Sequence, residues 1–210
     1  MIVVTTCFWV ERAWIPQLRG VRLVRTPMGE PASSSLERTI GQEVPDLLLA
    51  TGFCGALDPR LEAGDLVLAE GIEDREGRVP IDRRLADRAA SSLAARGIPA
   101  TRATLLAAPG VVGSHEEKAR LREGGAAAVD MESGPLARFA ARRGIPFLAL
   151  RAVLDSAGED LPFAAGGDLV RSTAAHPLRA LRAARSALIA GRALGRAVPA
   201  ALAAVEGRLA

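Results

Sequence analysis

The chain has 210 residues and a formal net charge of +3 at pH 7, with 49% hydrophobic and 24% charged residues. This composition indicates one globular domain and excludes a disordered chain. Aromatic residues make up only 3% of the chain and the basic residues are dispersed, which argues against nucleic-acid binding.

The number of cysteines and the length of the apolar runs bear on metal binding and on the cellular compartment. Cys7 and Cys54 are too few for a disulfide scaffold and form no CxxC pair, so we expect two small buried side chains and no metal site. The N-terminal segment lacks a positively charged leader region. No apolar run approaches the length of a bilayer span, so we expect a cytoplasmic protein.

Apolar runs alternate with helical patterns and predict an α/β fold whose sheet is covered on both faces. The predicted strands are Ile2–Thr6, Val21–Arg25, Leu47–Thr51, Leu66–Ala69, Thr101–Ala107, Ala126–Val129 and Phe147–Leu154. The predicted helices are Arg83–Arg96, His115–Arg122 and Leu136–Arg143. Ser156–Gly167 is predicted as a loop. The tail Pro177–Ala210 is predicted to be rich in helix, with an interruption at Pro199.

Two segments in the first third of the chain carry candidate polar groups. Glu11 and Arg12 follow the first predicted strand, either as a helix cap with a solvated neighbour or as a base for water and a ligand for an anion. Thr51-Gly52-Phe53-Cys54-Gly55 predicts a tight turn whose glycines admit a ligand and whose amides form an anion-binding nest. It matches neither Walker A nor GxGxxG, so nucleotide binding by those motifs is not indicated.

The stretch from Ala128 to Asp155 carries most information about function. Asp130 and Glu132 stand where an apolar strand gives way to a helix, and Asp155 ends the next apolar run. Ligands of open α/β sheets bind at the carboxyl ends of strands, so these acids are candidate site residues. Structural interpretations also exist, because a helix dipole favours Glu132 and Asp155 can cap the following turn. A desolvated Asp155 would have a raised pKa and suit general-acid catalysis.

The order of these motifs resembles that of the nucleoside phosphorylase and nucleosidase superfamily. A glutamate at the end of the first strand is followed by TGxCGxL, GD with an apolar strand, VDMES and RAVLD. The resemblance extends from about Met1 to Leu161. It implies a three-layer αβα sandwich with a central mixed sheet, in one domain of residues 1–210 with a helical tail from about residue 177. It also implies a homodimer or a larger homo-oligomer.

The resemblance assigns roles to individual residues. Glu132 would bind the ribose 2′ and 3′ hydroxyls while Met131 packs against the sugar. Asp155 would protonate or hydrogen-bond N7 of the departing purine, and Glu11 matches the glutamate that activates water in the hydrolytic members. Val112, in the segment ahead of Glu117-Lys118, would line the base pocket.

One position departs from the pattern of many members. Phe53 replaces a serine whose hydroxyl contacts phosphate or the attacking water, and phenylalanine cannot form that hydrogen bond. Any phosphate would then be bound by backbone amides or by arginines such as Arg12. This departure puts ordinary purine nucleoside phosphorylase activity in doubt.

A subgroup resemblance narrows the expected substrate. VDMES, RAVLDSAGEDLPFAA and the tail after His176-Pro177 are similar to the hopanoid-associated phosphorylases, which remove adenine from adenosylhopane with inorganic phosphate and without a cofactor. The apolar side chains of Phe53, of the Cys7-Phe8-Trp9 segment and of Trp14 would suit a large apolar 5′ group. The alternatives are hydrolysis of methylthioadenosine or S-adenosylhomocysteine, futalosine-type hydrolysis, and a non-catalytic nucleoside- or lipid-binding protein.

The tail allows two interpretations of its charge pattern. Four arginines fall at helical spacings opposite three apolar residues; they are Arg182, Arg185, Arg192 and Arg196, opposite Leu181, Leu188 and Val198. A basic amphipathic helix can contact anionic lipid, which would bring the protein to a membrane-embedded substrate. The structural interpretation is a helix that packs on the domain through its leucines and leaves the arginines in water.

Overall fold

The computed structural model describes residues 1–79, 81–160 and 177–206, with the side chains of the last helix described from 181 to 204. In chain order the elements are β1 (Ile2–Thr6), α1 (Trp9–Trp14), β2 (Val21–Arg25), α2 (Pro31–Ile40), β3 (Leu47–Ala56), β4 (Leu66–Asp74), β5 (Gly77–Val79), α3 (Arg83–Ala94), β6 (Thr101–Ala107), α4 (His115–Arg122), β7 (Ala128–Asp130), α5 (Ser133–Arg142), β8 (Phe147–Asp155) and α6 (Pro177–Glu206). The predicted α/β fold with a central mixed sheet is confirmed.

The strands form one eight-stranded mixed sheet in the order β2-β1-β3-β7-β6-β4-β5, and β8 pairs with both β3 and β4. The strands β3, β8, β4, β6 and β7 therefore close a ring. β8 runs parallel to β3 and places Arg151 opposite Gly52 and Asp155 opposite Gly55. β7 runs antiparallel to β3 and places Val129 opposite the same Gly55. The two acidic strand ends thus meet on the second half of β3.

Alternate strand residues face two apolar layers, as period-two side-chain geometry requires. On one side Leu48 and neighbouring strand residues pack against α2 and α5, through residues such as Leu36 and Phe139. On the other side Leu49 and its neighbours pack against α3 and α6, through residues such as Leu93. These two layers hold the sheet rigid beneath the candidate site.

The segment predicted as a tight turn is part of a strand. Thr51 to Gly55 lie inside β3, whose pairing with β8 continues through Gly55. The expected tight turn with an anion-binding nest is therefore wrong, because the segment is extended and paired in a sheet, and the Phe53 amide donates to a carboxylate of the protein itself. The chain turns back only after Ala56, and Gly52 has φ +142°, a conformation that L side chains rarely adopt.

The last helix differs from its sequence-based description in two ways. α6 continues through Pro199 without the predicted interruption. Its four arginines are exposed, and Val198 is fully buried, but Leu181 and Leu188 expose 68% and 43% of their surface. The helix therefore packs on the domain through its second half rather than through those leucines.

The expectation that no apolar run approaches the length of a bilayer span is wrong, because one stretch among the described residues has the length and apolar composition of a membrane span. It is Leu181–Ala204, with mean hydropathy 1.3, and 44% of it is buried inside the protein. A core helix of a soluble protein meets the same criteria. The stretch packs closely on α1, because a Cβ atom at Gly191 would lie 2.1 Å from the Trp14 ring.

Candidate active site

Arg151 is fully buried, and three acidic side chains lie around it at the second half of β3. We call Arg151, Glu11, Asp130, Glu132 and Ser133 the Arg151 cluster. The Arg151 guanidinium lies 2.5 Å from Asp130 Oδ2 and 3.6 Å from Glu132 Oε2, and it donates to the Ser133 hydroxyl at 3.1 and 3.2 Å. It also donates to the Thr51 carbonyl at 3.3 Å, which fixes it to β3.

Glu11 enters this cluster from the first turn of α1, not from the end of β1. Its carboxylate accepts N–H hydrogen bonds of 2.8 Å from Cys7, Phe8 and Phe53. The bond from Phe8 caps α1, so the capping interpretation is correct as far as it goes. The bond from Phe53 links the same carboxylate to β3. Burial raises the pKa of Glu11, while these N–H donors and Arg151 oppose the rise.

The close approach of Glu11 to β3 depends on a glycine. A Cβ atom at Gly52 would lie 2.7 Å from Glu11 Oε1 and 3.0 Å from Arg151 Nη1. Any side chain at this position would displace one of the two charged groups. The expected role of Gly52, close approach of the backbone, therefore holds for a carboxylate of the protein itself.

Asp130, and not Glu132, caps helix α5. Asp130 accepts hydrogen bonds from the Ser133 amide, at 3.2 Å, and from the Ser133 hydroxyl. Glu132 forms no cap and instead accepts from the Gly29 amide at 3.2 Å, a residue 103 positions away. Burial raises the pKa of Glu132 to about 7, with Arg151 opposing the rise and the neighbouring carboxylates adding to it. The helix-dipole interpretation of Glu132 is therefore unnecessary.

The turn that follows Asp155 is likewise capped by another acid, Glu159. The Ser156 amide donates to Glu159 Oε2 at 3.0 Å, which closes the turn after β8. Asp155 is buried and forms an ion pair with Lys118, whose ammonium group is fully buried. Burial raises the pKa of Asp155, and the nearby Lys118 opposes that rise.

The structure shows how exposed the other predicted site residues are, which are Met131, Val112 and Thr51. Met131 is half-buried and lines a surface cleft with Ala108 and Pro109. Val112 is buried in a small apolar cluster that includes Val129. The Thr51 hydroxyl donates to the Leu150 carbonyl at 2.8 Å and so serves the sheet.

Phe53 and Arg12 differ in their relation to the Arg151 cluster. The Phe53 side chain belongs to the apolar layer that includes residues of α6 and is 9% exposed, and its amide donates to Glu11. The guanidinium of Arg12 forms no ion pair with the cluster within the described part of the chain. The buried cation beside Glu11 is Arg151.

Sequence reasoning missed Arg151, Lys118 and Gly29 as site residues. Arg151 had a readable signal, because an arginine inside the apolar run FLALRAVLD must be buried and paired. Lys118 is the only lysine of the chain. Gly29 had no local signal, since its contact is with a residue far along the chain. Within residues 1–79, 81–160 and 177–206, no group of three or more His, Cys, Asp or Glu side chains is placed to hold a metal ion.

The family model described as the Phosphorylase superfamily matches residues 12–188, most of the chain. The chain belongs to this superfamily. The expectation that it is an enzyme is thereby confirmed, as is the resemblance at superfamily level. Membership also agrees with the order of acidic motifs that the structure brings to β3.

Relatives within the superfamily are similar at low identity. A 5′-methylthioadenosine/S-adenosylhomocysteine nucleosidase of Staphylococcus aureus is 24% identical over 159 residues, covering 66% of this chain and 70% of the relative. The futalosine hydrolase of Helicobacter pylori has a TM-score of 0.75 at 16% identity, covering 96% of both chains. The 5′-methylthioadenosine/S-adenosylhomocysteine nucleosidase from S. pneumoniae has a TM-score of 0.75 at 18% identity, covering 97% of this chain and 99% of the relative.

These structural likenesses establish the fold. The three relatives are named as nucleosidases or a hydrolase, and not as hopanoid-associated phosphorylases. The finer subgroup resemblance therefore has no support from them.

Proposed function

We propose that this enzyme hydrolyses the N-glycosidic bond of a 5′-modified adenosine and releases adenine. The proposal is carried by the excess of acidic groups in the Arg151 cluster, where three buried carboxyl groups surround one guanidinium. Cleavage of the bond leaves an oxocarbenium-like ribose with positive charge. Carboxylates that are already in place stabilise that charge more in the transition state than in the ground state.

Glu132 is assigned to the ribose. It is 7% exposed, and one of its oxygens is fixed by the Gly29 amide while the other faces Arg151. A carboxylate held in this way can accept hydrogen bonds from the 2′ and 3′ hydroxyls. Met131 precedes it in the chain and supplies an apolar surface for the sugar ring.

Glu11 is assigned to the attacking water. Its burial makes the carboxylate a stronger base than an exposed glutamate, while the amides of Cys7, Phe8 and Phe53 keep it fixed. A base held this rigidly can remove a proton from water without first losing conformational freedom.

Asp155 is assigned to the leaving base. A buried carboxyl group with a raised pKa keeps its proton to a higher pH than an exposed aspartate does, and it can donate that proton to N7 of the purine. The proton neutralises the negative charge that the departing base would otherwise carry. Val112 is the candidate contact for the base itself.

Water is favoured over phosphate as the nucleophile for an electrostatic reason. The positive charge of the Arg151 guanidinium is already paired with Asp130 and Glu132, and Glu11 lies beside it. A phosphate anion placed near Glu11 would meet net negative charge. The names of the relatives, which are hydrolytic, support the same choice.

The proposal is tested by assaying purified protein with methylthioadenosine, adenosine, futalosine and adenosylhopane, each with and without inorganic phosphate. We expect adenine release from a 5′-modified adenosine at a rate that phosphate does not change, together with a free reducing sugar. Release that requires phosphate, with a sugar 1-phosphate as product, would refute hydrolysis. Ligand binding without release of any base would refute catalysis.

A second candidate is phosphorolysis of adenosylhopane. It is favoured by three exposed apolar side chains directly before Glu11, since Phe8, Trp9 and Val10 expose 45%, 68% and 44% of their surface. They would suit a large apolar 5′ group. Inorganic phosphate would be the co-substrate, with Arg12 as its candidate ligand. The assay above distinguishes this candidate by its substrate and by its dependence on phosphate.

Four further expectations stay predictions. A homodimer or larger homo-oligomer is tested by sedimentation equilibrium. Peripheral membrane contact through α6 is supported by the exposed Leu181 and Leu188 beside exposed Arg182 and Arg185, and it predicts co-sedimentation with anionic vesicles but not with zwitterionic ones. We also expect a cytoplasmic protein that needs no cofactor.

A further inference from the structure

Lys118 is a completely buried cation with three acceptors around its ammonium group. Its Nζ donates to Asp155 Oδ2, to the Ser156 carbonyl at 2.7 Å and to the Glu159 carbonyl at 2.8 Å. The lysine comes from α4, while all three acceptors belong to the end of β8 and the turn that follows. It therefore ties the candidate acid and its turn to another layer of the fold.

The choice of lysine here is informative because the chain otherwise uses arginine. It has 27 basic residues, counting lysine and arginine, and Lys118 is the only lysine. An ammonium group is compact and has three donors, which match three converging acceptors, whereas a guanidinium is a planar fork. The three acceptors thus match the shape of an ammonium group as well as its charge.

The contact leaves one oxygen of Asp155 available. Lys118 bonds to Oδ2, and Oδ1 receives no hydrogen bond from any residue that the structure describes. Both oxygens lie over Gly55, where a Cβ atom would be 3.5 Å from Oδ1 and 3.2 Å from Oδ2. The absence of a side chain at Gly55 therefore leaves the carboxyl group room beside β3.

We propose that Lys118 is a positioning residue for proton transfer by Asp155. It holds Oδ2 and the 156–159 turn, so that Oδ1 carries the proton that is exchanged with the leaving base. In the transfer the Oδ1–H bond breaks, a bond from that proton to the base nitrogen forms, and Asp155 becomes a carboxylate. The adjacent ammonium stabilises that carboxylate. This inference rests on the proposed function of Asp155.

The groups that face Asp155 define the expected pH behaviour. Lys118 approaches from α4, Glu159 lies in the turn, and the Cys54 thiol, whose pKa burial raises, lies on β3. Lys118 is the only cation among them. Its removal leaves burial and the Glu159 carboxylate unopposed, and both favour the protonated form of Asp155.

The experiment compares Lys118→Met, Lys118→Arg and the exposed control Arg120→Met on the same helix. For Lys118→Met we expect kcat to fall by about 10²-fold, the lower end of a general-acid contribution, with KM little changed. The alkaline limb of its kcat–pH profile should move to higher pH, because Asp155 keeps its proton longer. Lys118→Arg should lower kcat without moving that limb, and Arg120→Met should match the wild type.

A purely structural role would lower activity through loss of folded protein and would leave the alkaline limb in place, which would overturn the inference. Full activity of Lys118→Arg would overturn the requirement for the shape of lysine. In an Asp155→Asn background, Lys118→Met should cause no further loss of kcat, since the two residues act as one unit. That double variant also removes both charges together, which protects its folding.

Failure of the proposed function can be told apart from failure of this inference. If the wild type releases no base from any nucleoside, hydrolysis and phosphorolysis are both refuted. The carboxyl of Asp155 can still be titrated by NMR with ¹³C-labelled aspartate. We expect its pKa to be higher in Lys118→Met than in the wild type. Equal pKa values would overturn the inference whatever the enzyme's activity.

Discussion

Glu132 and Asp155 each stand near a second acid, and in both places that second acid stabilises the local turn. Asp130 accepts from the amide and hydroxyl of Ser133, and Glu159 accepts from the amide of Ser156. The two candidate acids are consequently not needed by their own turns. At the residue scale, the capping of these turns by Asp130 and Glu159 supports a functional role for Glu132 and Asp155.

Asp155→Asn tests the candidate acid directly. The amide cannot donate a proton as a carboxylic acid does, so we expect kcat for adenine release to fall at least ~10²-fold. The measurement is steady-state release of adenine, with the exposed Glu37→Gln as a control that keeps wild-type rates. Full activity of Asp155→Asn would remove Asp155 from its assigned role.

Gly52→Ala tests the geometry of the Arg151 cluster. The added methyl group would lie 2.7 Å from Glu11 Oε1, and Gly52 also has φ +142°, so Glu11 or β3 must move. A displacement of this size in a catalytic group costs about 10²-fold in rate, and we expect a loss of that order. The control is Gly124→Ala, where the nearest atom would be 3.4 Å away. Equal rates for both variants would contradict the requirement for glycine.

At the element scale, the continuity of β3 decides where the site lies. The glycine-containing segment pairs with β8 along its length, so its amides belong to the sheet and only that of Phe53 turns to Glu11. The TGFCG pattern indicated a turn because glycine is common in turns. In this strand glycine instead permits two charged groups to approach the backbone.

Packing between α1 and α6 should determine whether the Glu11 helix is held in place. In Gly191→Val the new side chain would overlap the Trp14 ring, since even a Cβ atom would lie 2.1 Å from it. We expect a loss of about 1–3 kcal/mol in unfolding free energy, typical of overpacking. Denaturant unfolding measures it, and Ala184→Val at an exposed position of α6 gives the cost of a valine in this helix without the overlap. A loss no larger than that of Ala184→Val would contradict this packing.

At the scale of the whole molecule, the buried acids should make stability depend on pH. The pKa of Glu132 is raised from 4.5 to about 7 on folding, so the folded protein holds this proton more tightly than the unfolded chain. Its contribution is full below the unfolded pKa and is lost as pH rises through about 7, by an amount on the order of a few kcal/mol.

Glu132→Gln isolates this contribution. Glutamine does not ionise, so the melting temperature of the wild type should fall relative to Glu132→Gln as pH rises from about 5 to about 8. Thermal unfolding followed by circular dichroism gives the two curves, and the exposed Glu37→Gln should run parallel to the wild type. Parallel curves for Glu132→Gln as well would show that the pKa of Glu132 is not raised.

Local patterns predicted the fold class and most strands, because apolar periodicity reflects burial directly. They also predicted that Glu132 and Asp155 lie near strand ends, whereas Glu11 lies in the first turn of α1 and not at the end of β1. They did not predict β5, and they placed a break at Pro199, where packing of α6 on the domain maintains the helix. Propensity is a weak determinant where tertiary contacts are extensive.

By itself, the sequence determined the alternation of strands and helices, the order of the acidic motifs and therefore the superfamily. Those features depend on residues that are close together in the chain. The tertiary structure alone decided which acids cap a helix or a turn and which make other contacts. Lys118 contacts Asp155, 37 positions away in the sequence, and Gly29 contacts Glu132, 103 positions away. Contacts between distant residues depend on strand order and register, which no local pattern specifies.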